Sequence, residues 1–597
     1  MRFPRLQEVQ RYRDMTRVFG GYNHQLSCEE GQFFDMKNMT SKYFPVLSPR
    51  TNRGIVKSFT YPQGILDKED MWWIDNKVLY RNGEAQTLSG ASLTIQTPKT
   101  MAKMGAYIIV MPDRIWINTN SVNGKLESGY LEHEVYISNP IFSICEASGK
   151  SITWHDSEYY KSTEAKDGDY LMSVNSNGKP SLKVFSGTTG MWMTVASTYV
   201  QITAEGIGEG FEKEDGIKIT SNYIGSALDN IFINKEDDGE HYSTNTYIID
   251  RTDNSITIPG IYNGQITEFE NMTLNIERKV PDLAYITECN NRLWGCSTDG
   301  HEIYCCKLGD VKNWNCFRGT STDSWAATVG SDGKFTGAIT YLGYPMFFKE
   351  DCLLKIAVSS TGAHQTKETR CRGVQNGSSG SLAILNEVLY YKSPEGICGY
   401  NGSLPYSVSD ELGEVRYYDA VAGILGDKYY ISMKDKNNRW SMFVYDSKNQ
   451  IWCREDNTQA LAFCRYKDDL YYIDMKDNKM KSVGGTLLFD VPEKATEDKV
   501  PWFVESGAIG YSSPDNKYVG RINLRITLEL GTNVDFFIQY DSQGEWEHKF
   551  NMSGMGTRTF SVPIIPKRCD HFKYKIVGQG GCKIHSVTKE VEEGSDG

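Results

Sequence analysis

Apolar residues along this chain come in short runs separated by polar, Gly- and Asn-rich turns, the pattern of strands rather than helices. Between Tyr341 and Val483 the pattern repeats. The aromatic doublets Phe347-Phe348, Tyr390-Tyr391, Tyr429-Tyr430 and Tyr471-Tyr472 follow one another at spacings of 43, 39 and 42 residues. Each doublet lies in one strand-like run and is followed by a polar turn and a further run, as in "KYYISMKDKNNRWSMFVYD". A strand-only period of about 40 residues predicts the blades of a β-propeller, which bury their faces only by stacking on one another.

Two earlier units fit the same template, one around Trp72-Trp73 and one around Ile108-Ile109. The next comparable unit, around Trp294, comes well over a hundred residues too late, so residues 140–278 read as an inserted β-rich domain. Beyond Val483 a charged stretch with Pro492 reads as a linker. Cleaner alternation follows, with Ile522, Leu524, Ile526 and Leu528 in one run and Val534, Phe536, Ile538 and Tyr540 in the next. That alternation predicts sheets with one buried face, here a C-terminal β-sandwich. The expected class is all-β: a propeller of about seven blades, or six plus a separate sheet. Its parts would be an N-terminal arm over 1–50, propeller over 51–139 and 279–485, insertion over 140–278, linker over 486–498, and sandwich with tail over 499–597.

Composition supports strands. Aromatics make up 12% of the 597 residues, with 36 Tyr and 55 Gly. No apolar run approaches the roughly 20 residues of a membrane span, and the first twenty residues lack the apolar stretch of a secretory signal. The net charge of −12 argues against wholesale nucleic-acid binding through a basic surface. The 14 cysteines include no CxxC pair, so they read as buried, reduced thiols rather than zinc ligands.

Candidate chemistry is sparse. None of the nine histidines has a metal-binding spacing, and Gly149-Lys150-Ser151 lacks the leading glycine of a phosphate loop. Glu236, Asp237, Asp238 and Glu240 read as a solvated hairpin tip, because the alternating ligands of a calcium loop are missing. The Gly-rich stretches at 314–350 and 371–387 open no helix and read as inter-strand loops. Asp570-His571 enters a strand, where adjacent side chains point apart, and reads as structural. A carboxylate pair assembled across blades is the enzymatic arrangement left open. The expectation is a protein that is not an enzyme and carries no cofactor or metal.

Two groups remain as candidate binding residues. Arg2, Arg5, Arg11, Arg13 and Arg17 concentrate positive charge at the N-terminus of an acidic chain and suggest an arm that docks on a partner. Trp154, Tyr159, Tyr160 and Trp192 in the insertion would face a ligand if exposed.

The segments "VFGGYNHQLSCEEGQFFDMKNMTSKYFPVLSPR", "NRLWGC", "KLGDVKNWNCF", "GYPMFFKE" and "CRGVQNGSSGSLAILNEVLYYKS" resemble the packaged-DNA stabilisation or tail-hub proteins of tailed bacteriophages, which are β-propeller virion proteins. The resemblance weakens across the insertion and after the linker. It implies a structural component of the tail or head–tail connector, bracing or lining the DNA exit channel and assembled in the host cytoplasm. Implied partners are further copies in a ring, with a hexamer favoured, portal, adaptor or other tail proteins, and passing DNA in non-specific contact. The alternative is a receptor- or glycan-binding tail protein acting through the insertion.

Overall fold

Each aromatic doublet lies on the second strand of a four- or five-stranded sheet, and its two rings serve two different neighbours. Side chains alternate across a strand, so Trp72 packs with Ile108 and Val110 of the following sheet while Trp73 packs with Tyr471 and Ile473 of the last one. Phe347 meets Trp294, and Phe348 meets Tyr391. Tyr429 meets Tyr390, and Tyr430 meets Tyr472. A doublet is thus the minimum sequence that binds a sheet on both faces.

The chain, seen in a computed structural model that describes residues 11–120, 125–161, 164–225, 228–233, 235–264, 271–358, 363–488, 495–510 and 516–593, is all-β and built around a β-propeller. No α-helix occurs among the described residues. The stacked sheets span 62–88, 100–130, 283–328, 337–370, 383–407, 417–454 and 460–482. First strands touch in circuit: Pro62–Lys68 against Thr100–Met104, then Leu283–Cys289, then Gly337–Tyr341. On the other side Tyr417–Leu425 touches Ala460–Tyr466, which returns to Pro62–Lys68.

The last sheet is completed from the other end of the sequence. Gly54–Ser58 pairs antiparallel with Lys479–Ser482, and Ala495–Thr496, inside the stretch read as a linker, pairs with the other edge of the same strand. Val56 on that strand is fully buried.

The expected insertion leaves the propeller after Ser128–Tyr130 and returns at Leu283–Cys289. Two sheets, one centred on Thr273–Arg278 and Gly216–Ser221, the other on Tyr199–Thr203 and Ser255–Pro259, enclose a core that includes Ile202, Ile219, Ile258 and Ile276. A smaller sheet over 154–194 joins them through Ile144, Met172 and Leu182. Glu236 and Asp237 pair with Ser243 and Tyr242, so the acidic cluster does sit on a hairpin.

In the C-terminal part, two sheets stack. Ile522, Leu524, Ile526 and Leu528 face Val534, Phe536 and Ile538, all buried, while Tyr540 is half-buried. The N-terminal stretch expected as an arm is, over its described part, woven into these sheets. Arg11–Thr16 pairs with Cys582–Glu593, and Gln32–Lys37 pairs with Pro501–Ser506. The reason is burial: Phe19, Phe33 and Met36 enter the C-terminal core.

Candidate functional site

The most elaborate polar and aromatic surface lies where the C-terminal sheets meet the propeller sheets at 383–454. The contact starts at Gly21, whose φ is +79° and whose position leaves no room for a side chain, since a Cβ would come within 2.3 Å of the Trp452 carbonyl oxygen. Tyr22 then meets Phe443 edge-on at 5.4 Å. Arg454 donates to Asp35 at 2.8 Å, Ser41 donates to Asp446 at 2.6 Å, and Lys428 donates to Thr40 at 3.0 Å. The His24 backbone N–H donates to the Glu411 carbonyl at 2.8 Å. Burial disfavours ionisation of Asp446, but hydrogen bonds from Ser41 and Asn449 and the nearby Lys428 hold it below the usual carboxylate range.

Beside this seam opens a cleft of 1040 Å³ lined by His24, Leu26, Phe34, Arg416, Tyr418 and Arg439 among others. A second hollow of 520 Å³ shares His24 and Arg439 and adds Tyr22, Tyr417 and Trp440. The His24 ring is fixed by stacking on Phe34 at 4.3 Å and by its Nδ1, which lies 2.8 Å from the Phe34 carbonyl oxygen. Flat rings beside Arg, Asp and Lys side chains suit an extended peptide or a sugar chain, held by stacking and hydrogen bonds.

Beside the closing strand Gly54–Ser58 lies a buried ionic cluster that the sequence did not single out. Arg50 and Arg53 precede the closing strand. Arg50 pairs with Glu497 at 2.7 Å and Asp456 at 3.4 Å. Arg53 pairs with Glu455 and, at 3.3 Å, with Asp456, its guanidinium lying 5.3 Å from the centre of the Tyr472 ring. Burial opposes ionisation of Asp456, yet Arg53 and Arg50 overcome it and hold its carboxyl well below the usual range. The only sequence signal was two arginines in "SPRTNRG", directly before a Gly-initiated strand.

The insertion is fastened to the propeller through the loop 307–317. Asn313 Oδ1 accepts from the Gly216 N–H at 3.0 Å, and Asn313 Nδ2 donates to the Glu214 carbonyl at 2.6 Å. Lys312 pairs with Glu212 at 2.6 Å, and Lys307 and Arg318 both pair with Glu214. Within the insertion Arg278 pairs with Asp215 at 2.5 Å. Burial pushes the Asp215 carboxyl up, against the pull of Arg278.

The residues singled out from the sequence fall as follows. Arg2 and Arg5 lie outside the described residues. Arg11 pairs with Glu592 at 2.8 Å and Arg13 with Glu590 at 3.5 Å in the same chain, and Arg17 donates to the Met15 sulfur at 2.9 Å. Arg11 and Arg13 of the supposed docking arm therefore meet acidic groups at home, while Arg17 meets none among the described residues. Tyr159 and Trp192 come together at 6.2 Å, with Lys183 over the Tyr160 ring at 5.4 Å. Trp154 does not join them. It packs on the opposite face of the small sheet, against Tyr170 and the insertion core.

Asp570 and His571 differ from expectation. Asp570 precedes the strand Phe572–Gln579, so strand alternation does not govern it, and its Oδ2 lies 3.0 Å from His571 Nδ1.

No family model matches the sequence, and no curated protein is similar to it. Solved structures give distant likenesses. An exo-β-1,3-galactanase from Phanerochaete chrysosporium with β-1,3-galactotriose has 8% identity and a TM-score of 0.22, over 52% of this chain and 96% of that one. Apo AztD from Citrobacter koseri has 10% identity and a TM-score of 0.20, over 67% and 93%. Trypanosoma rangeli sialidase with sialic acid has 10% identity and a TM-score of 0.20, over 72% and 95%. At these values the likenesses carry no conclusion about chemistry.

Proposed function

We propose that this protein is a structural subunit of a tailed-phage virion, in the tail or head–tail connector, where it braces or lines the DNA exit path. In this reading the seven stacked sheets, five of four strands and two of five, are seven blades and the C-terminal pair of sheets is a sandwich docked on them. The observation that carries it is where the family-like segments fall. Residues 18–50 form the seam between sandwich and propeller, and 307–317 form the loop that holds the insertion. These two segments therefore supply joints of a multi-part scaffold, and His24, Leu26 and Phe34 of the first also line the cleft beside the seam. Such a scaffold resists deformation because each joint combines buried apolar contact with paired charges.

The role requires other copies of the chain in a ring, a hexamer being favoured because tail machines are built on cyclic symmetry. Portal, adaptor or other tail proteins would be its neighbours, and an acidic chain would let DNA slide past without sticking. Cryo-electron microscopy of the intact particle tests this. The expected result is a ring near the portal, and a monomer or a particle lacking the protein would overturn it.

A second reading, a receptor- or glycan-binding tail protein, is favoured by one feature. The small sheet of the insertion leaves Tyr160 more than half exposed beside half-buried Tyr159 and Trp192. That reading places the protein at the distal tip, so the same particle images separate the two.

A further inference from the structure

At the edge of the C-terminal sheets three side chains line up in a hydrogen-bonded series. Ser542 Oγ lies 2.7 Å from His571 Nε2, and His571 Nδ1 lies 3.0 Å from Asp570 Oδ2. From this geometry we infer that Ser542, His571 and Asp570 form a nucleophilic Ser–His–Asp site able to take an acyl group from a small activated carboxylic ester. The connectivity is what such a site needs: one ring nitrogen faces the hydroxyl and the other faces the carboxylate, so that with Nδ1–H donating to Asp570, Nε2 accepts from Ser542.

The scaffold around the three is well tied. Asp541 and Ser542 are the central residues of the turn after Asn533–Tyr540, closed by the Gln543 N–H donating to the Tyr540 carbonyl at 3.1 Å. Asp541 Oδ1 accepts from the backbone N–H groups of Asp570 at 2.8 Å and His571 at 3.2 Å. The Asp541 N–H donates to the His571 carbonyl at 2.9 Å. Three bonds therefore lock the turn that carries the serine to the segment that carries its base. Both turn residues have φ of +51°, as do other two-residue turns of this chain, so the local backbone serves the hairpin and the presentation of Ser542 follows from it.

Exposure also fits. The His571 side chain is only 14% exposed, while Asp570 is 55% exposed and Ser542 is exposed. The base is shielded and the nucleophile is reachable. Ser542 does not line either cleft at the propeller seam. The substrate class is therefore one that needs little enclosure and has a good leaving group.

In the reaction, Ser542 Oγ forms a bond to the carbonyl carbon as its proton passes to His571 Nε2. The bond to the leaving alcohol breaks as that proton is returned to the leaving oxygen. Water then attacks the acyl-serine, its proton passing through His571 to Ser542 Oγ, and the carboxylic acid departs. Asp570 is a positioning residue that stabilises the imidazolium.

The test uses the full chain with p-nitrophenyl acetate and a fluorophosphonate probe. Wild-type protein should hydrolyse the ester faster than S542A and should carry the probe on the peptide containing Ser542. H571Q should lower the rate about 100-fold, the lower end of what a positioned base contributes. D570N should lower it while altering the pH profile, a change a merely structural carboxylate would not produce. Ser542 lies on the turn and Asp570 and His571 on the segment before Phe572–Gln579, and unchanged thermal unfolding of all three variants would verify folding. Equal hydrolysis and labelling in wild type and S542A would overturn the inference. It stands apart from the scaffold role, since virion position has no bearing on either readout.

Discussion

Arg53 has an unusual burden for one residue. Its side chain is 1% exposed, and Nε and Nη1 have no hydrogen-bond partner among the described residues, so its charge is balanced through Nη2 by Glu455 and Asp456 and by the face of Tyr472. Removing one partner of a buried pair leaves an uncompensated charge, at a cost of about 3–5 kcal/mol. Arg53→Met should therefore lower the unfolding free energy by an amount in that range, read from the shift of the denaturation midpoint. The same cluster gives a pH dependence with a definite sign. Asp456 is held below its unfolded value of about 3.9. Its contribution is complete above that pH and is lost as pH falls toward the lower folded value. Wild-type stability should drop below about pH 4, and R53M should show a shallower drop. Denaturant titrations between pH 3 and 7 measure both, and an equal slope in the two proteins would mean that Arg53 does not hold Asp456 ionised.

At the scale of elements, the doublets carry the propeller because each of their rings fills a different inter-sheet core. Trp73 is fully buried between the first and last propeller sheets, so Trp73→Ala should cost about 3–5 kcal/mol. Hydrogen exchange should rise first in those two sheets. In contrast Tyr160, 55% exposed on the small sheet, should change stability by less than about 0.5 kcal/mol when replaced by Ala. Near-equal losses for the two would contradict the two-sided packing. The doublets were legible in the sequence because a strand's alternation is local: two adjacent aromatics in one run announce two buried faces. The strand Gln32–Lys37 was not legible, because "QFFDMK" says nothing of a partner at Pro501–Ser506. The closing strand Gly54–Ser58 was hidden for the same reason, its partner being Lys479–Ser482. Arg50 and Arg53 became a site only once those distant strands were paired. The contact between Asp570 and His571 was hidden because strand alternation, which would point them apart, does not govern the two residues just before the strand Phe572–Gln579.

Across the whole molecule, both ends of the chain converge on the C-terminal sheets, and this changes what the N-terminus can do for assembly. The strand Arg11–Thr16 covers the edge of Cys582–Glu593, and Phe19 stacks on Phe33 at 6.0 Å inside the core. Deleting residues 1–20 would uncover that edge and remove a buried aromatic side chain, a loss of about 3–5 kcal/mol from the ring alone. Such a deletion cannot isolate a docking role, because it also destabilises the C-terminal sheets. Deleting residues 1–10 separates the two. It removes Arg2 and Arg5 and leaves in place Arg11 and Arg13, whose acidic partners are in the same chain. Exposed pairs contribute about 0–1 kcal/mol each, so the short deletion should leave the unfolding midpoint within experimental error. If the N-terminal arginines reach an acidic neighbouring copy, the short deletion should still weaken ring formation, most visibly at low salt where charge attraction is least screened. Light scattering coupled to size-exclusion chromatography, run on both deletions at two salt concentrations, reads assembly, and thermal unfolding reads the fold. A ring that forms equally well without residues 1–10 would assign its contacts to the propeller and C-terminal faces alone.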